Sequence, residues 1–149
     1  MERQSGFTLI EMMVTVGIIL ILASVGVPAM QDFITNQRIK STTNDLFSSL
    51  LRARSEAIKR NADVKMTPST SWETGWAILS PNTGEPVLAS FSTRSSVKVT
   101  GPNGGVTFTP AGRVKGAGNL QFNVSATNGK PRCITVDLGG RPNVQAKSC

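Results

Sequence analysis

With 149 residues, 39% of them apolar and 17% charged, the chain is long enough for one folded domain with an appended segment. It has no His, no Tyr and only 2 Cys, which makes a zinc centre or a histidine-driven acid–base pair a poor fit and points away from an enzyme or a bound cofactor. The formal net charge of +7 suits a surface beside an anionic membrane, or a site for a polyanion.

Residues 1–6 form a short polar stretch ending in Gly6. From Phe7 to Met30 a single charge, Glu11, interrupts an otherwise apolar or small-residue run. About 20 such residues at ~1.5 Å rise cross a ~30 Å hydrocarbon core, so 7–30 reads as a transmembrane helix. A secretory signal places its small-residue cleavage motif after the apolar run. Here the glycine comes before it, so the run is expected to survive processing. A carboxylate within such a helix costs ~2.5–3.5 kcal/mol on insertion scales, which marks Glu11 as functional. Pro28 deletes one helical hydrogen bond, and Gly17 and Gly26 weaken the same stretch. Two readings stay open there: a segment that bends or melts, or a tolerated transmembrane proline.

Residues 31–61 continue the helix in amphipathic form. Ile39, Thr43, Leu46, Leu50, Ala53 and Ala57 recur at steps of three and four, a stripe suited to packing on a sheet. Arg38, Lys40, Arg52, Lys59 and Arg60 then face mostly outward, and Glu56 is spaced to pair with Arg60. Beyond Asn61, short apolar runs alternate with turn formers, giving a β-rich domain over 62–149. The runs are Val64–Met66, Trp76–Leu79, Val87–Phe91, Val97–Val99, Val106–Phe108, Leu120–Val124 and Cys133–Leu138. Gly101-Pro102-Asn103-Gly104-Gly105 lacks the Gly-Lys-Ser/Thr ending of a phosphate loop and reads as a turn. Trp72, Trp76, Phe91, Phe108 and Phe122 are spread over different strands and read as core. The fold class is therefore α+β: a long N-terminal helix packed on antiparallel sheet.

From Ser90 onward there are eight basic residues, Arg94, Lys98, Arg113, Lys115, Lys130, Arg132, Arg141 and Lys147, against Asp137 alone. Such side chains beside turns can contact phosphates without a groove-reading helix.

GFTLIE, from Gly6 to Glu11, resembles the processing site of type IV pilin-like proteins. LFSSLLRARSEAIKRN (Leu46 to Asn61), GWAIL (Gly75 to Leu79), FTPAGR (Phe108 to Arg113) and GGR (Gly139 to Arg141) resemble the minor pilins and pseudopilins of the FimT, FimU and GspH group. The resemblance implies cleavage between Gly6 and Phe7 by a prepilin peptidase and methylation of the new Phe7 amine. It implies that Glu11 neutralises that amine on a neighbouring subunit, with Pro28 at a position where many of these helices carry proline. The implied partners are other pilins or pseudopilins, in a type IV pilus or a type II secretion pseudopilus whose assembly the chain helps initiate or cap. The implied location is the bacterial inner membrane, single-pass, with a periplasmic globular domain. Two cysteines would stay reduced in the cytosol but can pair in the periplasm, so this topology implies a Cys133–Cys149 disulfide. FimT-like relatives imply an alternative, binding of double-stranded DNA during natural transformation. The candidate residues are Arg113, Lys115, Lys130, Arg132, Arg141 and Lys147. The associated Gly-Arg-x-Arg pattern is met only in part, by Gly140-Arg141-Pro142-Asn143.

Overall fold

The computed structural model describes residues 7–82, 84–116, 118 and 120–149, apart from the side chains of Val25, Pro28 and Ala29. One helix, α1 (Leu9–Arg60), is followed by eight strands: β1 (Val64–Pro68), β2 (Gly75–Ile78), β3 (Ala89–Ser92), β4 (Lys98–Thr100), β5 (Val106–Phe108), β6 (Leu120–Ser125), β7 (Arg132–Val136) and β8 (Pro142–Gln145). The chain separates into two compact units, one ending at Ile34 and the other spanning Thr35–Cys149.

In the first unit α1 runs through position 28 with no break in helical assignment. Its apolar side chains lie exposed all round the helix: Leu9 at 78%, with Ile10, Met13, Leu20, Ile21 and Leu22 also well above half. Water does not tolerate such a surface, so lipid or protein must cover it. Among the described residues no helix is long and apolar enough to cross a membrane.

The second unit is built around the C-terminal half of α1. Ile39, Thr43, Leu46, Leu50, Ala53 and Ala57 are all fully buried, which puts the sequence stripe against the sheets. Burying a side chain such as Leu46 or Leu50 contributes roughly 1.5–3 kcal/mol. Asn61, at φ +50°, ends the helix. The Asn61 amide donates to the Ile58 carbonyl and the Ala62 amide to the Ala57 carbonyl, a Schellman motif that satisfies two terminal carbonyls.

The strands form two antiparallel four-stranded sheets, ordered β3-β2-β1-β5 and β4-β6-β7-β8. The chain changes sheet at β3–β4, β4–β5 and β5–β6, so hairpin neighbours in sequence are often not neighbours in space. The turn from β4 to β5 is the glycine-rich segment. The Gly105 amide donates to the Pro102 carbonyl at 3.0 Å. Gly105 has φ +78°, and a Cβ there would strike the Met66 carbonyl of β1, so only glycine fits. Buried Trp76 donates from Nε1 to Ser49 Oγ at 2.8 Å, which ties β2 to α1. Trp72 meets Phe122 edge to face at 4.9 Å between centroids.

Two details correct the sequence reading. Leu138 does not extend β7. It is exposed in the turn Asp137–Gly140, where the Gly140 amide donates to the Asp137 carbonyl at 2.9 Å. β8, Pro-Asn-Val-Gln, was not expected as a strand. It pairs with β7 from Val136↔Pro142 to Cys133↔Gln145, with proline at its first position on the sheet edge.

Candidate functional site

Two regions carry candidate chemistry, the start of α1 and the basic surface of the second unit. Gly6 lies outside the described residues. Phe7 is exposed and precedes α1. Thr8 caps the helix: its Oγ1 accepts from the Glu11 amide at 3.3 Å, and its carbonyl accepts from the Met12 amide at 3.2 Å. Thr8-x-x-Glu11 thus has capping-box spacing, a local signal that the sequence reading passed over. It places the one carboxylate of the apolar segment in the first helical turn, beside unsatisfied backbone amides and the positive end of the helix dipole.

Cys133 and Cys149 are joined as a disulfide with a Cα–Cα distance of 5.0 Å. The Cys149 amide donates to Asn123 Oδ1 at 3.4 Å, so the last residue is held over β6. With both thiols bonded, neither can bind a metal. Among the described residues no three His, Cys, Asp or Glu side chains converge.

The six basic candidates do not form one site. Lys115 is engaged by Asp63 at 2.6 Å. The backbone positions beside Arg113 and Arg141 are brought together by their glycine neighbours. Gly140, at φ +74°, lies so near the Gly112 carbonyl that a Cβ would overlap it. Arg54 of α1 donates from Nε to that same carbonyl at 2.9 Å. The Arg141 amide is held by Asp137 Oδ1 at 2.8 Å. Asn143, at the position of the missing second arginine, lies within β8.

Lys130 and Arg132 group elsewhere, at the β6–β7 turn. With Asn36, Gln37 and Lys40 of α1 they line a cavity of about 240 Å³. Lys147 follows β8, beyond Gln145, whose partner Cys133 adjoins Arg132. Sequence reasoning did not join Lys40 to this set. Ninety residues separate Lys40 from Lys130, and no local pattern reports such a pairing.

At the C-terminal end of α1, Arg60 bridges Glu56 at 2.9 Å and Glu85 at 3.4 Å. Its hydrogen bond holds the Glu56 carboxyl below the ordinary glutamate value. Glu85 is likewise lowered, first by Asn82 and then by Ser80. These contacts fasten the loop before β3 to the helix.

The family description "Type II transport protein GspH" matches residues 42–140, and "Prokaryotic N-terminal methylation motif" matches residues 1–27. A fimbrial protein of Pseudomonas aeruginosa is 32% identical over 103 residues, covering 67% of this chain and 62% of that protein. The chain thus spans less than two thirds of the length of the relatives it matches in sequence. The crystal structure of the type IV minor pilin FimU of Pseudomonas aeruginosa superposes with a TM-score of 0.65 at 20% identity, covering 76% of this chain and 92% of that one. The minor pseudopilin EpsH from the Type 2 Secretion System of Vibrio cholerae superposes at 0.59 with 11% identity, covering 73% and 97%. At these identities the two structures speak for the shared fold.

Proposed function

This chain belongs to the GspH family of type IV pilin-like minor pilins and pseudopilins, and on that premise we propose that it is a filament subunit that helps initiate or cap a pilus or secretion pseudopilus. A prepilin peptidase removes residues 1–6 and the Phe7 amine is methylated. Residues 7–30 hold the chain in the inner membrane until they transfer into the filament core, residues 31–61 continue the helix, and residues 62–149 stay on the periplasmic side. The observation that carries the reading is the start of α1, Leu9 to Ser24, exposed and apolar on every side with Glu11 as its one carboxylate. In the packed filament Glu11 neutralises the Phe7 amine of an adjacent subunit. An unpaired charge in that medium is heavily penalised, so the pairing selects register. Pro28 marks where the helix adapts on leaving lipid. The work is assembly, with no catalytic step assigned to any side chain.

The test is Glu11→Leu in cells that assemble the filament. Removing a charge from the apolar segment should leave membrane insertion at least as good, while incorporation into filaments falls. N-terminal sequencing should find Phe7 first in both proteins. Incorporation at the wild-type level would overturn the charge-pairing role.

A second reading, non-specific capture of double-stranded DNA, is favoured by the close approach of the Gly112 and Gly140 backbones, which sets Arg113 and Arg141 at neighbouring positions. It calls for duplex binding that weakens steeply with salt and falls on Arg141→Ala. Binding unchanged by that substitution would exclude this pair.

A further inference from the structure

The second sheet has an open edge beside the C-terminal half of α1. Among the described residues β8 has β7 on one side and no strand on the other. The Asp137 amide donates to the Arg141 carbonyl. The alternation of an antiparallel ladder then makes Thr135↔Asn143 and Cys133↔Gln145 the hydrogen-bonded pairs. Pro142 and Val144 stand in the pairs between and turn their backbone groups outward. One amide, that of Val144, and two carbonyls thus face away from β7, and proline occupies a place where the sheet needs no amide. Among the described residues no other backbone group reaches them. A groove runs along this edge. Phe47 of α1 shares a cavity of about 550 Å³ with Arg141, Pro142, Asn143 and Val144. Farther along, Arg54 binds the Gly112 carbonyl, and a Cβ at Gly112 would press on Ile58. Phe47, Leu51, Arg54 and Ile58 form one row of the helix, at steps of four, three and four, so Leu51 lies on the same wall. Leu51 is 41% exposed and Ile58 51%, although the opposite face of this helix is fully buried.

A row of open backbone donors and acceptors is matched by an extended polypeptide. The side chains of an added strand alternate between the two faces of the sheet. Val144 pairs with buried Ile134 and so lies on the α1 side. Every second residue of the added strand therefore meets the wall of Phe47 and Leu51, which calls for apolar side chains. The others fall on the face of Arg141 and Asn143. Among the described residues neither Arg141 nor the neighbouring Arg54 and Arg113 forms an ion pair. The Asp137 carboxylate accepts from the Arg141 amide. That face calls for carboxylates. A second copy of this chain fits poorly, because Pro142 has no amide to offer in return and two basic surfaces would meet. We propose that the groove between α1 and β8 receives an extended, acidic segment of a different filament subunit as an added strand of the sheet, with apolar side chains on Phe47 and Leu51 and carboxylates on Arg141. The proposal rests on the filament reading.

The experiment uses the full chain in cells that assemble the filament, with the photoreactive residue p-benzoylphenylalanine in place of Leu51. Light should join the chain, in sheared filaments, to one different pilin-like subunit. Peptide mapping should place the join in a stretch that alternates apolar and acidic residues. Val144→Pro removes the outward amide and leaves the β7 ladder bonds in place, while Arg141→Glu reverses the charge. Each should lower the yield roughly tenfold, and Val144→Thr, which keeps the amide, should not. An intact Cys133–Cys149 bond checks the fold of each variant, and if Val144→Pro fails that check Arg141→Glu decides. A join to a second copy, to duplex DNA or to a segment without carboxylates would overturn the proposal. So would a yield unmoved by Arg141→Glu. A chain present in filaments but joined to nothing refutes the groove alone. A chain absent from filaments refutes the assembly reading, and the groove with it.

Discussion

Replacing Cys133 and Cys149 together by serine tests how far the C-terminal strand depends on its covalent closure. The bond spans a sequence separation of 16, and a loop of that size restricts the unfolded chain by about 3 kcal/mol. The folded unit begins at Thr35 and ends at Cys149, so at ~2.1 cal/mol/K per residue its unfolding entropy is ~240 cal/mol/K. Dividing one by the other gives a fall in melting temperature of about 12 °C. Locally the effect should be larger. β8 is an edge strand, paired on one side only, and its four residues contain a proline and two carboxamides. Its amides should exchange faster in the double variant, while β1 and β2 amides change only with global stability. The assay is thermal unfolding of the full chain in detergent micelles, with and without reductant, alongside amide exchange. Reductant should bring the unaltered chain to the melting temperature of the variant and leave the variant unmoved. Coincident melting of the oxidised chain and the variant would refute the reasoning. So would a fall in melting temperature with β8 exchange unchanged.

Gly140→Ala should destabilise by more than the ~1–2 kcal/mol of a left-handed backbone alone, because its Cβ overlaps the Gly112 carbonyl and presses on Phe108. Gly84→Ala, at φ +91° with nothing within 4 Å, should cost only the backbone part. Equal losses in thermal melts would show that the Gly112–Gly140 contact gives way. Glu56 and Glu85 have folded values below the ordinary 4.5. Their contacts therefore stabilise fully above that value, and the contribution is lost as pH falls through the lowered folded values. Exchange in the loop 80–85 should rise on that acid limb, and Glu85→Gln should flatten the rise. A loop insensitive to acid would remove the tie between Arg60 and Glu85. Carboxyl chemical shifts give the titration directly.

Much of this fold is legible in the chain because its signals are local. Helical periodicity needs only neighbours three and four residues away, so Ile39, Leu46, Leu50, Ala53 and Ala57 declared the buried face of α1. The apolar run with Glu11 near its start, and the glycine-rich turn at Gly101–Gly105, are equally local. Pairing in space is not. That β1 joins β5 while β4 joins β6 is decided by contacts between distant segments, and alternation in a short strand does not name its partner. β8 escaped because Pro-Asn-Val-Gln carries little apolar signal. β7 supplies its hydrogen bonds, and the disulfide holds the residues that follow it. The basic residues show the same division. Their number and surplus stand in the sequence, as a matter of composition. Only the tertiary structure parts Arg113 and Arg141 from Lys130 and Arg132, and sets Lys40 beside the latter pair. Charges act over ångströms of space, and the chain brings those residues together only by folding.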